Sequence, residues 1–272
     1  MNDLSIIIVS YNTCSHLDAC LYSLTENPPQ CKYDITVVDN GSTDGSIEMV
    51  KSKWRNVRLI ETGCNLGYAA ANNYGIRETE SEFILLLNSD TIVHPETVDL
   101  LIKQLKQQDD VGIVAPRIVD SDSEIELSHG SMINPWNSTW QRLKEYLLRR
   151  QFPFISKWIT LSASKTQFAD WVSGACLLVR RNDALQVGLL DERFFLYTED
   201  VDFCSSIRAL DKKILYFTGS TITHYRGQSS LGATTHQAYR QSLMSFYAKH
   251  YPSWLPLLRF YLRLINDLPR RH

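Results

Sequence analysis

Phe83-Ile84-Leu85-Leu86-Leu87-Asn88-Ser89-Asp90 runs from unbroken apolar sequence straight into three polar residues. An apolar run of this length, bounded by polar sequence, reads as a strand buried on both faces of a parallel sheet. A buried strand has no structural use for three polar residues at its tip. Ligands of open α/β sheets gather beyond the carboxyl ends of the strands. Asn88, Ser89 and Asp90 are therefore candidate ligand-binding residues.

The sequence on either side repeats the pattern. Leu4–Val9, Ile35–Val38 and Val57–Ile60 precede this run and Gly112–Ala115 follows it, each a short apolar segment. Between them the apolar spacing becomes helical: Leu17, Leu21 and Leu24 share one face, and Val98, Leu101 and Leu105 another. Thr43 or Asp44 starts a helix over Ile47–Lys53, and Pro95 heads one over 95–108. This alternation predicts an α/β fold with a doubly wound, mostly parallel central sheet flanked by helices. Residues 117–165 break the rhythm with turn-rich polar sequence and then a basic, aromatic stretch. From Trp140 to Leu161 that stretch sets five Lys/Arg against Glu145. A strand at Ala175–Val179, a short helix from Asn182, a helix over Asp200–Leu210 and strands at Ile214–Phe217 and Thr221–His224 follow. The tail, 235–265, reads as one or two helices.

Composition narrows the class. The chain has 272 residues, 44% of them hydrophobic and 21% charged, which fits one packed domain with appendages and argues against disorder. With 28 Lys/Arg against 30 Asp/Glu the net charge is −2, so no global basic footprint for nucleic acid exists. Six cysteines form no CxxC pair, and we read them as reduced thiols of a cytoplasmic protein, mostly core filler. The first strand begins at Leu4 with no basic, apolar leader ahead of it, and no apolar run approaches the roughly 20 residues of a spanning helix.

Polar residues mark the other strand tips as well. Strand one ends in Ser10-Tyr11-Asn12 and strand two in Asp39-Asn40-Gly41-Ser42-Thr43-Asp44. A carboxylate such as Asp39 can accept hydrogen bonds from a base N–H or ribose hydroxyls, or it can serve only the turn. Asn65-Leu66-Gly67-Tyr68 opens a helix after strand three; Gly67 permits close backbone approach, and a helix N-terminus favours an anion. A second acidic cluster, Glu199-Asp200-Val201-Asp202, lies far downstream at a loop-to-helix junction. Alone it reads as a negatively charged helix start complementing the dipole.

Taken in order, these segments resemble the family 2 glycosyltransferases, which use the GT-A fold. The resemblance rests on Ser10-Tyr11-Asn12, Val37 to Asp44, Asn65-Leu66-Gly67, Asn88-Ser89-Asp90, Trp171-Val172-Ser173-Gly174-Ala175, Glu199-Asp200-Val201-Asp202-Phe203 and His224-Tyr225-Arg226-Gly227. It spans about residues 4–230 and is nearest to bacterial rhamnosyltransferases and other O-antigen or surface-polysaccharide transferases. It implies that residues 1–116 bind a nucleotide sugar, that 117–234 form the acceptor-binding, catalytic half of the same domain, and that 235–272 are a helical extension.

Residue roles follow from the resemblance. Asp90 is expected to ligate Mg²⁺ or Mn²⁺, and Asn88, standing where the familiar Asp-x-Asp motif has its first acid, acts by hydrogen bonding or through water. Ser10, Tyr11, Asn12, Asp39, Asn65, Gly67 and Ser89 are the expected donor-binding residues. His224 joins the metal, and Arg226 pairs with phosphate oxygens. Asp200 is the general base, with Glu199 second to it, and Asp202 orients or binds the acceptor. Gly174 and Ala175 let the backbone approach donor sugar or acceptor, while Trp171 stacks on a sugar or packs in the core. By analogy with that branch the donor is dTDP-rhamnose or a UDP-hexose, and the acceptor a glycan or lipid-linked glycan. A sugar nucleotidyltransferase is disfavoured because no Gly-rich loop follows strand one. A non-catalytic nucleotide-sugar-binding protein is disfavoured by the intact Asp90, Asp200 and His224.

The tail adds one more expectation. Arg259 and Arg263 share a helix face, Trp254, Leu258, Leu262 and Ile265 lie on another, and Arg270 and Arg271 follow. This reads as an interfacial helix drawn to anionic lipid at the inner face of the plasma membrane, or as a helix docked on the domain or on a second subunit of a homodimer.

Overall fold

In the sheet, neighbouring residues of each inner strand point to opposite faces, and both faces are covered. Ile6, Ile8, Leu85 and Leu87 pack on one side, Ile7, Ile84 and Leu86 on the other, all of them buried. The computed structural model describes residues 2–134, 160–161, 163–225 and 232–267, with side chains of 237–263 in the last segment. Strands β1 (Leu4–Ser10), β2 (Tyr33–Asp39), β3 (Arg58–Glu61) and β4 (Phe83–Asn88) are mutually parallel, in the order β3-β2-β1-β4. Helices α1 (Cys14–Glu26), α2 (Ser46–Lys53) and α4 (Thr97–Gln107) cover one face, and α3 (Tyr68–Arg77) the other. Leu17, Leu21 and Leu24 of α1 and Val98, Leu101 and Leu105 of α4 are buried as their spacing predicts. Asp44 accepts from the backbone N–H of both Ser46 and Cys14, and so caps α2 and ties it to the start of α1.

The second half finishes the same sheet. After β5 (Thr91–Val93) and β6 (Val111–Val119) come the short pair β7 (His129–Gly130) and β9 (Trp171–Val172), then β8 (Gln167–Ala169), β10 (Cys176–Arg180) and β11 (Lys213–His224). Strand order continues β4-β10-β6-β11-β5, with β8 on β11. The strand read at Ala175–Val179 is β10, and it runs antiparallel between β4 and β6. Its apolar run does not encode direction, because a strand buried on both faces looks alike either way. The two strands read at 214–217 and 221–224 are one strand, with a register shift between Phe217 and Thr221. The expected division after residue 116 falls inside β6.

Helices α5 (Arg181–Gln186) and α6 (Glu199–Arg208) join the α3 face through Ala184, Phe203, Cys204 and Ile207. The tail forms α7 (Gly232–His250) and α8 (Leu255–Asp267). Leu243, Phe246 and Tyr247 of α7 and Leu258 and Leu262 of α8 bury against Phe194 and Val201. The docked alternative for the tail is thus realised through Leu258 and Leu262, the residues expected to face lipid. The exposed apolar side of α8 is Leu257, Phe260 and Tyr261. Most of the basic 140–161 stretch, and also Arg226, Arg270 and Arg271, lie outside the described residues. Cys20, Cys176 and Cys204 are buried and all six cysteines are free thiols. Among the described residues no helix is long and apolar enough to cross a membrane.

Candidate active site

Strand register alone brings the polar tips to one edge. Ser10 stands opposite Asp39, and Val9 opposite Asn88. At this edge the side chains largely satisfy one another. Ser10 and Ser89 both bond Thr13, at 3.0 and 2.8 Å, in a buried chain of hydroxyls that ties β1 to the end of β4. Asn12, at φ 53, accepts from the Thr43 N–H at 2.8 Å and its own N–H donates to Ser42 Oγ, locking the β1 and β2 loops together. Tyr11 is partly exposed beside them. Asp39 Oδ1 accepts from the N–H groups of Gly41 and Ser42, whereas its buried Oδ2 has no hydrogen-bond partner. Asp39 therefore serves its turn with one oxygen and leaves the other unpaired.

The Asn65-Leu66-Gly67 loop is held together from within. Asn65 Oδ1 accepts from Asn40 and from the Gly67 N–H, so the amide builds the loop. Gly67 has φ 87, and a Cβ there would lie 2.5 Å from the Phe195 carbonyl oxygen. The Tyr68 N–H, first in α3, donates to that same oxygen at 2.8 Å. The close approach at Gly67 is thus made by the chain segment leading into α6, which takes the first N–H of α3.

Beyond β4 the groups face a shared rim. β5 pairs antiparallel with β11 so that His224 stands opposite Thr91, and the Tyr225 N–H donates to the Asp90 carbonyl. This puts His224 Nε2 3.3 Å from Asp90 Oδ1 and 3.4 Å from Asn88 Nδ2. On the far side of the ring, Nδ1 lies 3.4 Å from Glu126 Oε2. Burial would lower the imidazole, but the hydrogen bonds and charges of Asp90 and Glu126 outweigh it and push it up to about 9.

Of the downstream acids, Asp200 is tied to the end of β4 through the residues that lead into β10. The Asn88 N–H donates to the Ala175 carbonyl at 2.9 Å, and the N–H of adjacent Gly174 donates to Asp200 Oδ2 at 3.0 Å. Tyr68 Oη closes the loop by donating to the Gly174 carbonyl at 2.7 Å. Gly174 and Ala175 are buried, and their backbone carries this tie. Asp200 is partly exposed; burial raises its carboxyl, opposed by the backbone N–H groups of Gly174 and Val201. Glu199 is more deeply buried, and burial followed by the Asp200 charge lifts it well above the ordinary carboxylate range.

Residues 5–163 match the family model for glycosyl transferase family 2. The chain belongs to that family. Over 96% of its length this glycosyltransferase is 29% identical to an N-acetylglucosaminyl-diphospho-decaprenol L-rhamnosyltransferase of Mycobacterium tuberculosis, of which 89% is covered. It is 27% identical to the low-salt glycan biosynthesis hexosyltransferase Agl10 of Haloferax volcanii, over 76% of this chain and 62% of that one. Among solved structures, GalNAc-T7 with UDP, GalNAc and Mn²⁺ aligns at TM-score 0.65 and 16% identity over 91% of this chain, which spans 48% of it. The mannosyltransferase PcManGT of Pyrobaculum calidifontis, with GDP-Man and Mn²⁺, aligns at TM-score 0.61 and 17% identity over 95% of this chain and 68% of that one. The GT-A fold expected from the sequence is the fold of this transferase.

In the glycosyltransferase one expectation is corrected, and one of the two alternatives for Trp171 is realised. Asp202 is buried with both oxygens taken, by Lys249 at 2.8 Å and His250 at 2.7 Å, so it clamps α7 to α6 and does not meet an acceptor. Trp171 donates from its ring nitrogen to the Ser131 carbonyl and packs between two core clusters, the packing alternative of its sequence reading. Glu126, Tyr68, Lys249 and His250 were not singled out by sequence. Only Tyr68 carried a signal, by following Gly67.

Proposed function

We propose that this chain is a metal-dependent, inverting glycosyltransferase. It transfers rhamnose or a hexose from a nucleoside-diphosphate sugar to a hydroxyl of a lipid-linked glycan in cell-surface polysaccharide assembly. The observation that carries the proposal is the common rim: Asp90 and His224 in contact, and Asp200 tied to the same strand end through Gly174, Ala175 and Asn88. One carboxylate oxygen and one imidazole nitrogen suit a divalent cation, Mn²⁺ better than Mg²⁺. Among the described residues no cluster of three or more His, Cys, Asp or Glu closes a cage, as fits a metal shared with substrate phosphates and water. Asp90 and His224 would hold the cation, which when bound supplies charge neutralisation at the diphosphate.

The rest falls to the chain's own groups. Asp39 Oδ2 recognises the nucleoside. Asp200 Oδ1 or Oδ2 takes the proton of the acceptor hydroxyl as its oxygen bonds to the anomeric carbon. The bond from that carbon to the diphosphate breaks, and its electron pair leaves on the diphosphate oxygen. Such general base action contributes about 10²–10⁴-fold. Asp200 suits the role better than Glu199, because its carboxyl is partly exposed while Glu199 is buried. Incubation with dTDP-rhamnose and UDP-hexoses, with Mn²⁺ or Mg²⁺ and a lipid-linked glycan extract, should release nucleoside diphosphate with one donor. No acceptor-dependent release with any donor would sink the reading.

The lipid-linked acceptor suits an enzyme peripheral to the inner face of the plasma membrane. Leu257, Phe260 and Tyr261 of α8 are exposed by 56%, 60% and 44%, beside Arg259 and Arg263. This is the composition of an interfacial helix. Leu257→Glu with Phe260→Glu should abolish binding to anionic liposomes and leave nucleotide binding intact; liposome binding equal to wild type would remove the membrane role.

A further inference from the structure

The metal-facing histidine has a second partner, and that partner arrives by an unusual route. After β6 the chain turns at Asp120, whose Oδ1 accepts from the N–H groups of Asp122 and Glu124, both at 2.9 Å. It then returns antiparallel, pairing Ile125 with Val119 and donating the Glu126 N–H to the Ile118 carbonyl. On its other side β6 pairs with β11, Ile118 with Ile222 and Val119 with Thr223. Glu126 is thereby carried next to the end of β11, where its side chain is 7% exposed against the His224 ring. A carboxylate in such a place is costly unless paired, and this one faces the nitrogen turned away from Asp90.

We propose that Glu126 is a positioning residue for the metal centre, its Oε2 accepting the Nδ1–H of His224 so that Nε2 is the nitrogen that gives up its proton to a cation bound beside Asp90. The inference rests on the metal-dependent reading above. An imidazole ligates through one nitrogen only when the proton sits on the other, and the hydrogen bond made at the far nitrogen selects that tautomer and fixes the ring. With no acceptor at Nδ1, the ring samples the form whose Nε2 proton points at the cation's place. Partners of this kind typically change metal affinity about 10–100-fold.

Binding of Mn²⁺ to the full chain, followed by the loss of free Mn²⁺ signal in electron paramagnetic resonance, tests this. Glu126→Met keeps the length of the side chain and removes the acceptor; it should weaken Mn²⁺ binding about 10–100-fold. Glu126→Gln keeps an accepting oxygen and should bind within a few-fold of wild type. Nitrogen-15 spectra of labelled histidine with Mg²⁺ bound, assigned with His224→Asn, should show the Nδ1–H tautomer in wild type and Glu126→Gln. Tight binding by Glu126→Met alongside lost binding in Asp90→Ala overturns the inference and leaves the metal site standing. Equal losses in the Met and Gln variants, or a wild-type ring protonated at Nε2, also overturn it. Absence of Asp90-dependent Mn²⁺ binding in wild type removes the metal reading and this inference together.

Discussion

The two halves of the site use polar residues in opposite ways. At the tips of β1 and β2, and at Ser89, hydroxyls and amides mostly satisfy one another: Ser10 and Ser89 through Thr13, Asn12 through the loop after β2, Asn65 through Gly67. Along the rim shared by β4, β10 and β11, acids and an imidazole from distant parts of the chain are held together at partial or full burial. Asp200 and Glu199 are raised by burial and His224 is raised by its carboxylates. The first region is mostly a scaffold that ends in polar groups, with Asp39 Oδ2 left unpaired among them. The second gathers groups whose titration is shifted by burial or by neighbouring charge, which makes it the candidate for chemistry.

The sharpest way to break this contrast is Asp200→Asn. Nucleoside diphosphate release should fall about 10²–10⁴-fold, while the melting temperature holds or rises. The sign follows from linkage: a carboxyl raised in the folded state costs stability once ionised, and the amide cannot ionise. Since the base acts deprotonated, kcat/KM of the wild type should climb with pH through an acid limb above the ordinary carboxylate range. A limb at the usual carboxylate value would assign the base elsewhere.

Next in size is the clamp under the rim. Asp202→Ala takes the carboxylate away from His250 and leaves Lys249 with Asp191 alone, and should cost about 3 kcal/mol in a urea titration. Hydrogen bonds from Arg193 and then Lys249 hold Asp191 below the ordinary 3.8. Its contribution is therefore present above that value and is lost as pH falls below it, so the urea midpoint should drop on acidification and Asp191→Asn should flatten that drop. An unchanged midpoint in Asp202→Ala, with a raised KM for acceptor, would restore Asp202 to acceptor binding.

The smallest effect tests the scaffold side. Ser89→Ala removes one buried hydroxyl contact and should cost about 1 kcal/mol with less than about a threefold change in donor KM. A loss of donor affinity near the size of the Asp90→Ala effect would mean that Ser89 touches the donor after all.

Legibility divided along the same line. The strands of the first half were readable because apolar runs alternate with helical spacing, and the polar tips because nothing in a core requires them. Asp90, Asp200 and His224 stood out through their motifs. Glu126 did not, since it follows Asp120, Asp122 and Glu124 in a turn-rich stretch where one more acid is ordinary. Lys249 and His250 end a helix, where basic residues are expected for the dipole alone.

By itself the amino-acid sequence determined the layered α/β class and the faces of α1 and α4, and it marked Asp90 and Asp200 as candidates, because period and local polarity are properties of neighbours along the chain. The direction of β10, the seating of α8 through Leu258 and Leu262, and the partners of Asp202 and His224 were decided only in three dimensions. Each depends on which distant strand or helix comes alongside, and a hydrogen bond across 98 residues, as between Glu126 and His224, leaves no periodic trace.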